Sequence, residues 1–266
     1  MKNAEEEKES VIKDKKILLV EDDDINRAYT SILFTNWGLD YTLAEDGEQG
    51  LKYLAENSYD IIIMDLEMPV MDGFRTINAI RKTLKLNIPV IAASANDSES
   101  IIKKVSRAGF NDYIIKPYNS SYLLDKLVKN LKDPGCLGLN NIVKEKKSGI
   151  SGLNIYDLQK LNYIFSDNKK SVHEIIEKFL EVTPEYYNEA LKTYERNDAV
   201  NLKKVMHKLK TSISLIATKD ALADIIDIEE YSANDDFSPK LHTAFSRFKE
   251  WFPVLCEELR RDLNRL

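Results

Sequence analysis

Short aliphatic runs alternate with amphipathic stretches over the first half of the chain. "KILLV" precedes a segment that Asp24 can cap and that runs to about Trp37, with Gly38 ending it. "LDYTLA" is a second run, and Asp46 can cap "GEQGLKYLAEN" behind it. "DIIIM", "IPVIAAS" and "DYIIK" complete the set. Each leads into a helical pattern: one opened by Asp72 and running to about Leu86, one capped by Asp97 or Ser98, and one over "SSYLLDKLVKNLK". Five strands thus alternate with five helices between residues 15 and 132. Strands that are aliphatic throughout are covered on both faces, which predicts a doubly wound, five-stranded parallel sheet of the α/β class.

Beyond residue 132 the pattern changes. "DPGCLGLNNIVKEKKSGISG", residues 133–152, is rich in glycine and basic residues and reads as a linker. From 153 to 266 no strand signal survives, and apolar residues recur at three- and four-residue spacing. An all-α antiparallel helical bundle is the economical architecture. Thr183 and Pro184 predict an N-cap with a first-turn proline, hence a helix start, and Pro253 predicts a kink or break in the last helix. Residues 1–14 are highly charged and read as a solvated leader.

Composition narrows the classes. The chain has 266 residues, 43% hydrophobic and 31% charged, with a net charge of −6. This is a globular balance with room for two domains, and it lacks the basic stripe of a nucleic-acid binder. No apolar run approaches the roughly 20 residues needed to span a bilayer, so no membrane contact is expected. The charged start has no apolar segment of a signal peptide. Cys136 and Cys256 lie far apart and form no metal or redox pair, so a cytoplasmic setting is expected.

The chemistry sits where strands end. Asp65 follows "DIIIM", and Glu21, Asp22 and Asp23 follow "ILLV". In open α/β sheets that edge binds ligands. Clustered carboxylates repel one another unless a cation sits among them, and an oxygen-only set suits Mg²⁺. Ser94 ends "PVIAA" and Lys116 ends "DYII". A hydroxyl and an ammonium beside an acid–metal cluster would suit a transferred phosphoryl group, whose oxygens need donors and positive charge.

"ILLVEDDDINR", "IIIMDLEMPVMDG", "PVIAASAN" and "DYIIKP" resemble the response-regulator receiver domain of two-component signalling, over residues 15–132. The resemblance implies a flavodoxin-like fold with Asp65 as phospho-acceptor. It implies that Asp22 and Asp65 ligate Mg²⁺, that Glu21 acts through water and that the Glu67 backbone carbonyl completes the set. Ser94 would be the switch hydroxyl, Lys116 the phosphate partner and Tyr113 the aromatic that reorients. A cis bond before Pro117 is also implied.

In the second region, "VMHKLKTS" carries one histidine among lysines. At about 100° per residue, Leu202, Val205, Met206, Leu209, Ile213 and Ile216 form one core-facing stripe. His207 lies roughly 150° from its centre and faces solvent or a partner. Lys203 and Lys210 are its neighbours, with Thr211 and Ser214 beside them. "FLEVTPEYYNEAL" and "MHKLKTSISLIA" resemble the histidine-phosphotransfer domain, over about residues 153–266. The resemblance implies that His207 is a phospho-histidine and that Lys210 supports the phosphoryl group and its partner. Thr211 and Ala217 stand where that family usually has glycine, and Thr211 places bulk beside His207. His173 and His242 read as structural.

The combined expectation is a phosphorelay protein. It takes a phosphoryl group on Asp65 from a histidine kinase and exchanges it with His207, where a receiver domain would dock, or passes it to another receiver. No phosphate-cradling glycine loop occurs among its nine glycines, so it is not expected to start the relay from ATP. It is a free-standing protein or the C-terminal part of a hybrid sensor kinase. The alternative is a phosphorylation-switched receiver whose bundle is an interaction output, with His207 incidental. A DNA-binding output is disfavoured, because the bundle region has 17 basic against 20 acidic residues.

Overall fold

The structure, a computed structural model, describes residues 4–96, 98–133, 156–234 and 237–265. It divides into two units, residues 1–148 and 149–266.

In the first unit, parallel strands β1 (Lys16–Val20), β2 (Asp40–Ala44), β3 (Ile61–Asp65), β4 (Val90–Ser94) and β5 (Asp112–Ile115) form one sheet in the order β2-β1-β3-β4-β5. All five residues of β3 and of β4 are buried, as a sheet covered on both faces requires. The strands alternate with helices α2 (Asp24–Asn36), α3 (Gly47–Glu56), α4 (Gly73–Asn78), α5 (Glu99–Ala108) and α6 (Ser120–Lys132). Each begins at a side chain that accepts a hydrogen bond from a first-turn amide: Asp23, Asp46, Asp72, Ser98 and Asn119. The cap of α2 is therefore Asp23, with Asp24 in the first turn, and Asp97 lies outside the described residues.

Two further features depart from expectation here. The leader, read as solvated, forms helix α1 (Ala4–Ile12), which packs on α6 with Ile12 fully buried and Lys8 paired to Asp125. Helix α4 continues as a π-helical turn, Ala79–Thr83. Within that turn Arg81 donates to the carbonyls of Gly109, Leu86 and Ile88 and to the Asn111 side chain. One guanidinium thus supplies the acceptors of an irregular stretch with partners.

The second unit contains α7 (Leu158–Ile164), α8 (Lys169–Glu195), α9 (Ala199–Ser214), α10 (Lys219–Ala233) and α11 (Pro239–Leu263). Helix α9 packs against α8 and α10, and α11 closes on α10 and α8. Short connections make successive helices antiparallel neighbours. The core stripe of α9 is buried as its periodicity requires, though Ile216 lies just past the helix end.

Neither proline interrupts its helix. Helix α8 runs unbroken through Pro184, so the expected helix start at Thr183 is not there. Buried Ile175, Phe179, Tyr186 and Ala190 anchor it on both sides of the proline, and the Thr183 hydroxyl donates to the Phe179 carbonyl. Helix α11 likewise continues through Pro253, flanked by buried Phe248, Phe252, Leu255 and Leu259. The expected linker at 133–152 falls almost wholly outside the described residues.

Candidate functional site

Topology places the acids. The chain leaves the sheet in opposite directions from β1 and β3, and a crevice opens at the carboxyl ends where this reversal occurs. Val20 pairs with Met64, so Glu21 comes level with Asp65 across that crevice. One oxygen each from Glu21, Asp22 and Asp65 all lie within 4.8 Å of one another. From the other side Ser94 pairs with Ile115, which brings Lys116 to the same edge.

The Lys116 ammonium lies 2.5 Å from Glu21 Oε2 and 2.6 Å from Asp65 Oδ2, with all three side chains buried. Burial alone would lower the Lys116 pKa; the carboxylates of Asp65 and Glu21 outweigh it and raise it. Glu21 is pushed well above the usual carboxylate range, first by burial and then by Asp65 and Asp23, with Lys116 opposing. Three carboxylates cluster here, and the one ammonium pairs with two of them, Glu21 and Asp65. That donor set, all oxygen, fits a hard divalent cation.

The surrounding residues hold these groups in place. Asn26 donates to Glu21 Oε1 at 3.1 Å, and Arg27 donates to the Glu21 carbonyl at 2.7 Å. The Glu67 amide donates to Asp65 Oδ1 at 3.1 Å. Gly73 approaches so closely that a Cβ there would stand 2.3 Å from the Asp65 carbonyl oxygen. The Lys116–Pro117 bond is cis. Beyond it, Tyr118 is bonded by its hydroxyl to Thr30 and by its carbonyl to the Tyr29 hydroxyl. Burial raises the Tyr118 pKa to about 12.

Ser94 Oγ accepts from the Asn96 amide at 3.1 Å, and its carbonyl accepts from Lys116 N at 2.9 Å. Tyr113 is buried, and its hydroxyl donates to the Asn96 carbonyl. The residues singled out in the first region thus lie at one edge of the sheet or in the loops rising from it, except Tyr113, which sits within β5 and reaches Asn96 with its hydroxyl.

The second candidate site differs from its expectation in two respects. His207 is partly exposed on α9, away from the bundle core, but an acid reaches it from the neighbouring helix. Glu229 on α10 places Oε1 2.7 Å from His207 Nδ1 and Oε2 2.6 Å from the Lys210 ammonium. Burial pushes the Glu229 carboxyl up; the bonds from His207 and Lys210 outweigh this and hold it below the usual range. An ionised carboxylate only accepts, so Nδ1 carries a proton in this contact, and whenever the ring is neutral its lone pair lies on Nε2. Helical periodicity along α9 alone could not find Glu229.

Thr211, expected to crowd His207, is buried, and its hydroxyl donates to the His207 carbonyl at 2.9 Å. Its bulk therefore turns inward. His173 pairs with Glu177 one turn on, and His242 meets the Tyr194 hydroxyl. Cys256 is buried, and its thiol is pushed up to about 11 by burial. Cys136 lies outside the described residues. No helix among the described residues is long and apolar enough to cross a membrane.

Comparison with known proteins bears on the first unit. The family model for the response regulator receiver domain matches residues 17–128. The CAI-1 autoinducer sensor kinase/phosphatase CqsS of Vibrio cholerae is 33% identical over 116 residues, which are 43% of this chain and 17% of that protein. The autoinducer 2 sensor kinase/phosphatase LuxQ of Vibrio vulnificus is 35% identical over 113 residues, 42% of this chain and 13% of that protein. The chain thus spans under a fifth of either relative. Among solved structures, a sensor histidine kinase receiver domain from Pseudomonas aeruginosa, with a magnesium ion coordinated in its active site cleft, is 31% identical. It covers 44% of this chain and 96% of its own, with a TM-score of 0.40.

Proposed function

We propose that the receiver domain formed by residues 17–128 takes a phosphoryl group on Asp65 from a kinase phosphohistidine, and that His207 exchanges that group with it. One observation carries the first half: the Lys116 ammonium bridges Glu21 and Asp65 in a crevice that Asp22 also lines.

The chemistry follows from the groups present. A carboxylate oxygen of Asp65 attacks phosphorus as the donor's N–P bond breaks, and the leaving imidazole keeps the electron pair. The ammonium of Lys116 and the hydroxyl of Ser94 would donate to the phosphoryl oxygens, where negative charge needs donors. Mg²⁺, held by Asp22, Asp65 and the Glu67 carbonyl with Glu21 acting through water, would neutralise charge on those oxygens. Tyr113 would report the charged state by releasing the Asn96 carbonyl.

For the second half, the His207 Nε2 lone pair attacks phosphorus while the acyl–oxygen–phosphorus link on Asp65 breaks and regenerates the carboxylate. Glu229 supports this role by fixing the tautomer, as a positioning residue. Lys210, held by the same carboxylate, would steady the phosphoryl charge.

Incubation with a phosphorylated histidine kinase and Mg²⁺ tests the reading. Acid-labile phosphate on His207, absent from Asp65→Asn, is the expected result. Labelling of Asp65 with no label on the imidazole would remove the second half.

The engagement of Lys210 by Glu229 favours a second reading, in which the bundle is an interaction output and His207 is incidental. Unchanged signalling in His207→Gln would select that reading.

A further inference from the structure

The loop that follows Asp65 holds a valine in an expensive conformation. Val70 has φ +63, in the left-handed region that β-branched residues avoid. The Met71 amide donates to the Pro69 carbonyl at 2.6 Å, so Val70 sits at the centre of a γ-turn. The turn is fastened at both ends. Glu67 N bonds Asp65 Oδ1, Gly73 N bonds the Leu66 carbonyl, and the Met71 carbonyl accepts from Gly47 N.

The side chain gains little from the fold in return, since Val70 is 66% exposed. Asparagine or glycine would hold this turn at lower cost. Single exposed valines are ordinary, but one kept against its backbone preference suggests that its surface is used.

The counterpart lies on the His207 face. Val200, in the first turn of α9, is 67% exposed. These two are the most exposed of the large apolar side chains among the described residues, and they occur on the two segments that carry Asp65 and His207. Seven residues separate Val200 from His207, about 10.5 Å along the helix and about 20° apart around it. Exposed Lys203 and Lys204 share that face. Partly exposed Asp22 and exposed Glu67 place negative charge on the Val70 side. Apolar contact and opposite charge therefore match on the two surfaces.

Resting on the phosphotransfer reading, we propose that Val70 and Val200 form an apolar contact when the His207 face of one copy of this chain docks on the Asp65 crevice of a second copy. The contact would set the register of docking, with the lysines facing the acidic rim and His207 aimed at Asp65.

Two full-length variants test this. An Asp65→Asn chain is charged on His207 with phosphoramidate, whose P–N bond breaks as the imidazole–phosphorus bond forms and ammonia leaves. A His207→Gln chain with Mg²⁺ is the acceptor. The measurement is the second-order rate constant of transfer to Asp65, normalised to each acceptor's own loading by phosphoramidate. Val70→Asn in the acceptor, or Val200→Asn in the donor, is expected to lower it about tenfold, as loss of one buried aliphatic contact would. The two changes together should cost little more than either alone. Val70→Ile should retain transfer, and Val70→Asn should raise thermal stability by relieving the turn.

Unchanged or additive rates overturn the contact. So does a failure of transfer between copies whose Asp65 and His207 each load from phosphoramidate. If either residue fails to load, the phosphotransfer reading itself falls.

Discussion

Glu229 and His207 lie 2.7 Å apart across the α9–α10 interface, and the same carboxylate holds Lys210. The contact selects which ring nitrogen carries the lone pair. Replacing Glu229 with Ala removes both bonds and frees the ring to take either tautomer. Phosphoramidate labelling of His207 is expected to fall by about one to two orders of magnitude, the range for a group that orients a reacting residue. Glu229→Gln retains an acceptor without the charge and should recover part of the rate. A purely structural role would lower stability in both variants and leave the labelling rate of the folded protein unchanged.

Asp112, at the start of β5, is surrounded by α6. Lys126 lies 2.6 Å away and Lys129 2.9 Å, while the Asn130 side chain and the Tyr113 amide also donate to it. Burial would raise its pKa, but Lys126, Lys129 and the Tyr113 amide outweigh burial and depress it from 3.8. A depressed folded value means the cluster stabilises the domain above the ordinary aspartate range and loses that contribution as pH falls through the folded pKa. Asp112→Asn leaves Lys126 buried without its charge partner, at a cost of about 3–5 kcal/mol near neutrality. Thermal melts across pH should show the two proteins converging only in acid below 3.8.

Magnesium should act as a stabilising ligand. A cation bound by the folded crevice and not by the unfolded chain adds stability as RT ln(1 + [L]/Kd), about 2.7 kcal/mol at a hundredfold excess over Kd. Adding chelator should lower the melting temperature of the receiver domain accordingly. In Asp22→Asn the response should vanish, since one of the three clustered carboxylates is gone. A melting temperature indifferent to both magnesium and chelator would count against the cation site.

How far these arrangements were legible follows from what each depends on. The sheet reads directly, because strands buried on both faces are aliphatic at every position, as in Ile61–Met64. The convergence of Glu21, Asp65 and Lys116 follows from strand order, so it too is visible once the alternation is recognised. Other features belong to packing between elements. Helix α1 carries few apolar residues, yet Ile12 buries itself on α6. Pro184 reads as a boundary, but apolar contacts on either side keep α8 whole. Glu229 lies 22 residues from His207 and meets it only after two helices pair. Thr211 reads as bulk beside the imidazole, whereas its hydroxyl turns to the backbone.

Two glycines separate backbone cost from steric cost. Gly38 has φ +66, and a Cβ there would meet nothing within 4 Å. Gly38→Ala therefore costs only the left-handed conformation, about 1 kcal/mol, and leaves the crevice unchanged. Gly73 has an ordinary φ, but a Cβ there would stand 2.3 Å from the Asp65 carbonyl oxygen and 2.9 Å from Leu66 Cα. Both obstacles are backbone, and neither can rotate aside. Relief requires the end of β3 to move, and Asp65 moves with it. Gly73→Ala is therefore expected to cost at least about 1–3 kcal/mol through overpacking and to slow phosphoramidate labelling of Asp65 far more than Gly38→Ala does. Parallel melts and labelling time courses of the two variants check both halves. Equal labelling would mean that the close approach of Gly73 does not position the carboxylate.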